Sequence, residues 1–342
     1  TVDLEILQSL NFFRSTKTRL YAEIKECRRA LLFLHGGRMA FRVLLIESEV
    51  YVHLKLNNLV IEKEGNDIWI PLDDISVIVL DNLSVNITAR MMSVLADKGI
   101  ELIVCNMEHL PIGSFGAYDN HSRASKILGF QINNEQKFYD DLWVHIVKAK
   151  INNQKNVLKI IQKEAEIICK LEQLKNDVLS GDSTNREAHA AKIYFNTMMN
   201  STFSRGNDNI LLNSGLDYGY SIIRSYISRL CVGYGLNTQI GIHHKNEYNR
   251  FNLVDDLMEP IRPFVDLLSY RLLDGEKYFK QEHRRKLVNI VNNKVLYNNK
   301  NMYVGNMLER YVEQAAAYIS GKNIEIEFPN VENYEIEGGY EV

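Results

Sequence analysis

The periodicity of the chain changes once, near residue 118, and that change limits the folds open to it. From Ala40 to about Ile70, short β-branched runs ("FRVLLIES", "VYVHLKL", "LVIEK", "DIWIP") are broken by Asn57-Asn58 and Gly65-Asn66. Strand side chains alternate between two faces, and Asn or Gly pairs supply the positive φ of tight turns, so this pattern predicts successive hairpins. "ISVIVL" and "IELIVC" read as further strands, and "NITARMMSVLADKG" as a short helix closed by Gly99. Beyond Tyr118 the texture becomes helical, as in "EQKFYDDLWVHIVKAKINNQKNVLKIIQKEAEIICKLEQL", with almost no strand signal until the tail. The expected fold class is α+β: a small β-rich N-terminal domain over residues 39–118, then a larger all-α C-terminal domain over 119–320.

The flanks differ from both. Met39 follows "HGGR" and is a plausible native start, which leaves residues 1–38 as an extension of unknown origin. From Ile324 to Val342 there are six glutamates and no lysine or arginine, so residues 321–342 are expected to form an acidic tail facing solvent or a partner. A length of 342 residues accommodates two domains. The net charge of −3 exerts no global pull on nucleic acid, so DNA binding would need local basic patches. Cys27, Cys105, Cys169 and Cys231 lie far apart without a C-x-x-C pair, which fits reduced thiols better than a disulfide frame or a zinc site. No apolar run approaches the ~20 residues that cross a bilayer, and a soluble cytoplasmic protein without a membrane partner is expected.

Three stretches carry candidate chemistry. "STNREAHAAKIYFN" places Glu187 and His189 near a helix start, although Thr184-x-x-Glu187 is also a capping box, in which hydroxyl and carboxylate satisfy free N–H groups. "HH" at His243 and His244 offers imidazoles that can bind a divalent ion or serve a structural role. In "DDLMEPIRP", helical spacing could bring Asp255, Asp256 and Glu259 to one face, while Asp256-x-x-Glu259 again looks cap-like. Two or more carboxylates with a histidine suit Mg²⁺ or Mn²⁺, and such a site suits phosphodiester chemistry.

The order "NREAHAAKIYFN", "FSR", "NSGLDYGY", "GIHHKNEYNRFNLVDDLMEPIRP" resembles the integrase subunit of CRISPR spacer acquisition, in its type II branch. The likeness extends upstream through "LADKGIELIVCNMEHLPIG" and "DLWVHIVKAKINNQ" and downstream through "NNKNMYVGNMLERY", from Met39 to about residue 320. It implies a β-rich dimerisation domain, a helical catalytic domain and a homodimer. Two such dimers would flank a dimer of a small CRISPR adaptation partner protein as a heterohexamer carrying double-stranded DNA. The resemblance places the metal and catalytic triad on Glu187, His244 and Glu259, holding Mg²⁺ or Mn²⁺, with Asp256 beside the metal and no role for His243. The reaction implied is insertion of a short prespacer duplex at the leader-proximal repeat, by attack of a DNA 3′-hydroxyl on a phosphodiester. In type II systems the large effector nuclease is a further expected partner.

Candidate DNA contacts are Arg205 in "FSR", Arg224 in "SIIRSY", and Lys277, Lys280, Arg284, Arg285 and Lys286 in "KYFKQEHRRK". Lys148, Lys150 and Lys155 punctuate a helix and read equally as phosphate contacts or a solvated face. Two other functions stay open at the level of sequence. One is a stand-alone metal-dependent nuclease acting on branched or single-stranded DNA. The other is a non-catalytic DNA-binding scaffold whose carboxylates cap helices. Position separates these readings: catalytic carboxylates must converge, whereas caps lie apart.

Overall fold

The computed structural model describes residues 42–63, 66–117, 121–199 and 211–336. The extension 1–38 and Arg205 lie outside the described residues. Strands β1 (Arg42–Ile46), β2 (Tyr51–Lys55), β3 (Asn58–Lys63), β4 (Asn66–Pro71), β5 (Ile75–Leu80), β6 (Asn86–Ile87), β7 (Glu101–Cys105) and β8 (Pro111–Phe115) form two four-stranded sheets. One has the order β4-β3-β2-β6, with β2, β3 and β4 antiparallel as the hairpin signals predict. The other has the order β1-β5-β7-β8, in which β1, β5 and β7 run parallel and β8 is antiparallel. The helix Ala89–Lys98 supplies the crossover from the β5 side to β7. Thr88 caps it and Gly99 ends it at φ 65°, a left-handed conformation that costs glycine little.

The parallel sheet is buried on both faces, which explains the unbroken apolar run of β5. Ile78, Leu80 and Leu102 pack with Leu59, Met91 and Leu95 in a core between the sheets and the helix Ala89–Lys98. Val77, Val79, Ile103 and Cys105 point the other way and join the helical core. The strand-rich segment therefore shares one wall with the helices.

The helical part is organised around Gln136–Ile160. Its buried stripe runs Tyr139, Leu142, Trp143, Ile146, Val147, Lys150, Ile151, Gln154, Val157 and Leu158, at the three- and four-residue steps of one helix face. The helices Ala124–Asn133, Ala165–Asn176, Arg186–Met198, Leu211–Gly233, Asn252–Met258, Arg262–Leu273, Gln281–Val288 and Val304–Ile319 surround it. Among the described residues no helix is long and apolar enough to cross a membrane, and Cys105, Cys169 and Cys231 are free thiols.

Two expectations need correction. Residues 119–320 are not all helical, because β9 (Lys294–Tyr297) and β10 (Lys300–Tyr303) form a hairpin. Asn298 and Asn299 make its two-residue turn at φ 50° and 53°, whereas the β2–β3 turn falls on Leu56 and Asn57, at φ 48° and 60°, one residue before the Asn57-Asn58 pair. The acidic tail is also packed rather than solvated as far as residue 336. Val331 and Tyr334 are buried, and Ile326, Phe328 and Ile336 pack against the helical core. Glutamates interleave with these apolar residues, so Glu325, Glu332 and Glu335 stay exposed while Pro329, Val331 and Tyr334 between them are buried. Asn153 straps this segment down: its Nδ2 donates to the Pro329 carbonyl at 2.8 Å, and its Oδ1 accepts from Val331 N at 3.1 Å.

Candidate active site

Glu187 stands in the first turn of the helix Arg186–Met198 and is free of capping duty. Asp182 and Asn185, both at positive φ, fill that role. Asp182 accepts from Arg186 N at 2.8 Å and Glu187 N at 3.0 Å, and Asn185 Oδ1 accepts from Ala188 N. These acceptors satisfy the exposed N–H groups of the first turn, so the Thr184-x-x-Glu187 capping box does not form. The Glu187 carboxylate turns instead to Lys150, whose Nζ donates to its Oε1 at 2.6 Å.

Glu259 opens a short 3₁₀ turn, Glu259–Ile261, between the helices Asn252–Met258 and Arg262–Leu273. Pro260 and Pro263 suit this joint because proline needs no donor at a helix start. Asn153 fixes it from the neighbouring helix by donating to the Pro260 carbonyl at 2.8 Å. Arg262 Nε donates to Glu259 Oε1 at 2.8 Å, and its guanidinium lies 4.8 Å from the Tyr220 ring centroid. Lys150 Nζ lies 2.5 Å from Glu259 Oε2, so this buried oxygen has the ammonium as its one close cation. Burial opposes ionisation of Glu259, yet Arg262 and Lys150 outweigh it and hold the carboxyl down at about 2. For Lys150 burial works against the ammonium, but Glu259 and Glu187 prevail and raise its pKa.

His244 belongs to a turn built on Asp256. The fully buried Asp256 carboxylate accepts from Ile242 N at 2.6 Å, His243 N at 2.9 Å and His244 N at 3.2 Å. His244 Nδ1 lies 2.5 Å from Asp256 Oδ1, which leaves Nε2 as its outward nitrogen. Gly241 permits the turn, since a Cβ there would lie 2.3 Å from the His244 carbonyl oxygen. The hydrogen bond to Asp256 raises the His244 pKa most, burial opposes it, and the charges of Asp256, Glu259 and Glu187 add to it. His243 instead stacks on Trp143 with ring centroids 4.4 Å apart and planes 2° from parallel.

The three carboxylates of "DDLME", which helical spacing could have brought to one site, meet three different sets of partners. Asp255 pairs with Arg224 Nε at 2.8 Å and accepts from Asn249 Nδ2, Asp256 holds the His244 turn, and Glu259 meets Lys150 and Arg262. Each has its own cation or donor set, which relieves the repulsion a common face would impose. Glu187 and Glu259 thus meet at one ammonium, and His244 is near enough to feel both charges. With Lys150 against both glutamates, no three His, Cys, Asp or Glu side chains among the described residues are gathered as a metal-holding group, so Glu187, Glu259 and His244 could share an ion only once that ammonium moved aside.

The expected DNA contacts divide. Lys277, Lys280, Arg285 and Lys286 are exposed, with Lys280 paired to Glu276 and Arg285 to Glu47 at 2.7 Å each. Arg284 is buried and pairs with Asp81 at 3.0 Å, so a surface role for it is corrected to a tie between the helix Gln281–Val288 and the end of β5. Arg224 is paired with Asp255. A cleft of about 350 Å³ is lined by His145, Lys148, Asn152, Lys175 and Phe328. Its helical residues fall on the face of Gln136–Ile160 turned away from Lys150, so it is separate from the carboxylates.

Sequence reasoning placed Lys150 among possible phosphate contacts rather than between the acids, and it did not single out Arg262, Asp182 or Asn153. Lys150 had a signal: it is the one lysine in the apolar stripe of its helix, where an unpaired charge would be costly. Arg262 sits one turn after Glu259, a spacing that allows an ion pair.

The described fold and site invite comparison with known proteins. The family described as "CRISPR associated protein Cas1" matches residues 43–295. The CRISPR-associated endonuclease Cas1 of Neisseria meningitidis serogroup C is 38% identical over 237 residues, covering 69% of this chain and 77% of that protein. Among solved structures, a casposase bound to its integration product aligns with TM-score 0.70 at 21% identity, covering 88% of this chain and 96% of that one. A Cas6-RT-Cas1–Cas2 complex aligns with TM-score 0.65 at 17% identity, covering 83% of this chain and 35% of that one. At these identities the structural likeness is one of fold.

Proposed function

Because the chain belongs to the CRISPR-associated Cas1 family, we propose that it is the metal-dependent integrase and endonuclease of CRISPR adaptation. In this reading it inserts short prespacer duplexes at the leader-proximal repeat. One observation carries the site: two glutamates 72 residues apart in sequence, from separate helices, meet at a single cationic centre beside His244 while other residues cap the helices. The relative named an endonuclease and the casposase bound to its integration product support the activity. The complex that includes Cas2 supports a small partner protein. The proposal includes a homodimer joined through its strand-rich segment, two of which flank that partner and hold double-stranded DNA.

The donor chemistry fits Mg²⁺ or Mn²⁺: two carboxylates, one with a buried oxygen whose neighbour is the Lys150 ammonium, and an imidazole whose other nitrogen is tied to a carboxylate. Glu187, Glu259 and His244 Nε2 would hold the ion. An ion held there would supply Lewis-acid activation of the DNA 3′-hydroxyl and charge neutralisation at the scissile phosphate. Asp256 orients His244 through Nδ1 and keeps the turn closed. Arg262 holds Glu259 ionised and fixes the oxygen that faces away from Lys150.

The test mixes protein, its small partner, Mg²⁺ and a short duplex with a plasmid carrying the cognate leader and repeat. Wild type should join duplex to plasmid, and Glu259→Ala should lose roughly 10²–10³ of that activity, the scale of removing one preorganised electrostatic contact. Metal-dependent cutting without joining would instead make the chain a stand-alone nuclease. Full joining by Glu259→Ala would remove Glu259 from the site.

A further inference from the structure

Lys150 places a cation where the proposed function requires another. Its ammonium lies 2.6 Å from Glu187 Oε1 and 2.5 Å from Glu259 Oε2, and the residue is only 8% exposed. This is not a surface lysine that happens to meet an acid. It projects from the core helix Gln136–Ile160, and Asn153, three residues on, is bonded to the backbone beside Glu259. The same hydrogen bond therefore sets the distance between the lysine's helix and the carboxylate it neutralises.

Charge explains why the ammonium is there. Arg262 engages only Oε1 of Glu259, so Glu187 and the second oxygen of Glu259 would otherwise face each other with no cation between them. A buried carboxylate and a half-buried one held together without a counter-ion repel strongly, because partial burial removes much of the water that would screen them. Lys150 and Arg262 balance Glu187 and Glu259 charge for charge. A divalent ion added while Lys150 stayed in place would reverse that balance and crowd two cations onto the same oxygens. The flexible four-carbon stem of lysine lets the ammonium withdraw while its Cα stays fixed in the helix.

We propose that Lys150 is a tethered counter-ion of the metal-free chain, which holds Glu187 and Glu259 together and is displaced from them when a divalent cation enters. The proposal rests on the metal-site reading above. It makes Lys150 a positioning residue: it preserves the carboxylate pair before metal arrives and weakens metal affinity by competition.

Mn²⁺ binding, read from the loss of the free-ion electron paramagnetic resonance signal, tests this on the full chain. Lys150→Met should bind Mn²⁺ at least tenfold more tightly than wild type. Its metal-free melting temperature should be lower, and its gain on adding Mn²⁺ larger. A variant that binds Mn²⁺ no more tightly overturns the proposal. A second measurement needs no variant: reductive methylation of wild type, quantified at Lys150 by mass spectrometry, should rise several-fold with saturating Mg²⁺, and unchanged labelling overturns the proposal too. Glu259→Gln separates the two levels of inference. If wild type binds no Mn²⁺, or Glu259→Gln binds as wild type does, the metal-site reading falls and this proposal with it. If wild type binds, Glu259→Gln does not, and Lys150→Met is no tighter, the Lys150 proposal alone falls.

Discussion

Behind the paired glutamates lies a second buried acid, Asp266, whose carboxylate accepts the Tyr220 hydroxyl. Tyr220 in turn carries Arg262 against its ring, so the support of Glu259 runs through this tyrosine. Burial pushes the Asp266 carboxyl up to about 6, against the Tyr220 hydrogen bond and the attraction of Arg262 and Lys150. The folded state therefore keeps this proton to a higher pH than the unfolded chain, whose carboxyl titrates near 3.8. The stability it contributes is fully present below about 3.8 and is lost as pH rises to about 6. Urea midpoints measured from pH 4 to 7 should fall for this reason in wild type, and Asp266→Asn should remove that part of the fall. Equal slopes for both proteins would show that Asp266 keeps an ordinary pKa. Glu259 has the opposite sign, since its depressed pKa loses stability only as pH drops below the ordinary 4.5 toward 2.

Two local elements bring the site residues together. The turn after Gly241 is closed by one carboxylate that collects three backbone N–H groups, and a Cβ at 241 would also lie 2.8 Å from Asp256 Oδ2. Gly241→Ala should therefore cost on the order of 1–3 kcal/mol, read as a shift in urea midpoint, and reduce joining because His244 moves with the turn. The second element is the helix Gln136–Ile160, where Asn153 bonds Pro260, Pro329 and Val331 at once. Asn153→Ala leaves buried backbone groups in two segments without partners, and a loss of at least ~2 kcal/mol in chemical denaturation is expected. A loss near zero would mean that the C-terminal strap and the Glu259 turn hold their places without it.

Over the whole molecule, charge is distributed so that most basic residues near the site are already paired. Arg284, Arg224, Arg262 and Lys150 are held by internal acids, whereas Lys277 and Lys286 are exposed. With a net charge of −3, the duplex binding proposed for this chain would depend on such exposed cations. Replacing Lys277 and Lys286 with alanine should lower the slope of log affinity against log salt by roughly 0.9 for each phosphate that is no longer neutralised. An unchanged slope would make both lysines part of a solvated face. The parallel sheet divides its packing between the two parts of the molecule, because Val77 and Val79 serve the helical core while Ile78 and Leu80 serve the strand-rich one.

The sequence by itself determined β1 to β5, β7 and the helix Ala89–Lys98, since strand alternation, asparagine turn signals and the Gly99 stop are local effects set by a few neighbouring residues, whereas β6 and β8 went unread. Spacing marked the acids and histidines as residue types suited to a divalent metal, and the order of motifs, through the family resemblance, singled out Glu187, His244 and Glu259. Only the tertiary structure decided what each acid does. The caps around Glu187 fall to Asp182 and Asn185, and the three acids of "DDLME" separate to three partners, because those partners come from residues up to 109 positions away in the chain. The acidic tail was misread for the same reason. Its charge count is visible in the sequence, but the apolar residues between the glutamates matter only once Asn153 and the core helix lie beneath them. Local pattern fixes which groups are available, and long-range packing selects the partner that neutralises each one.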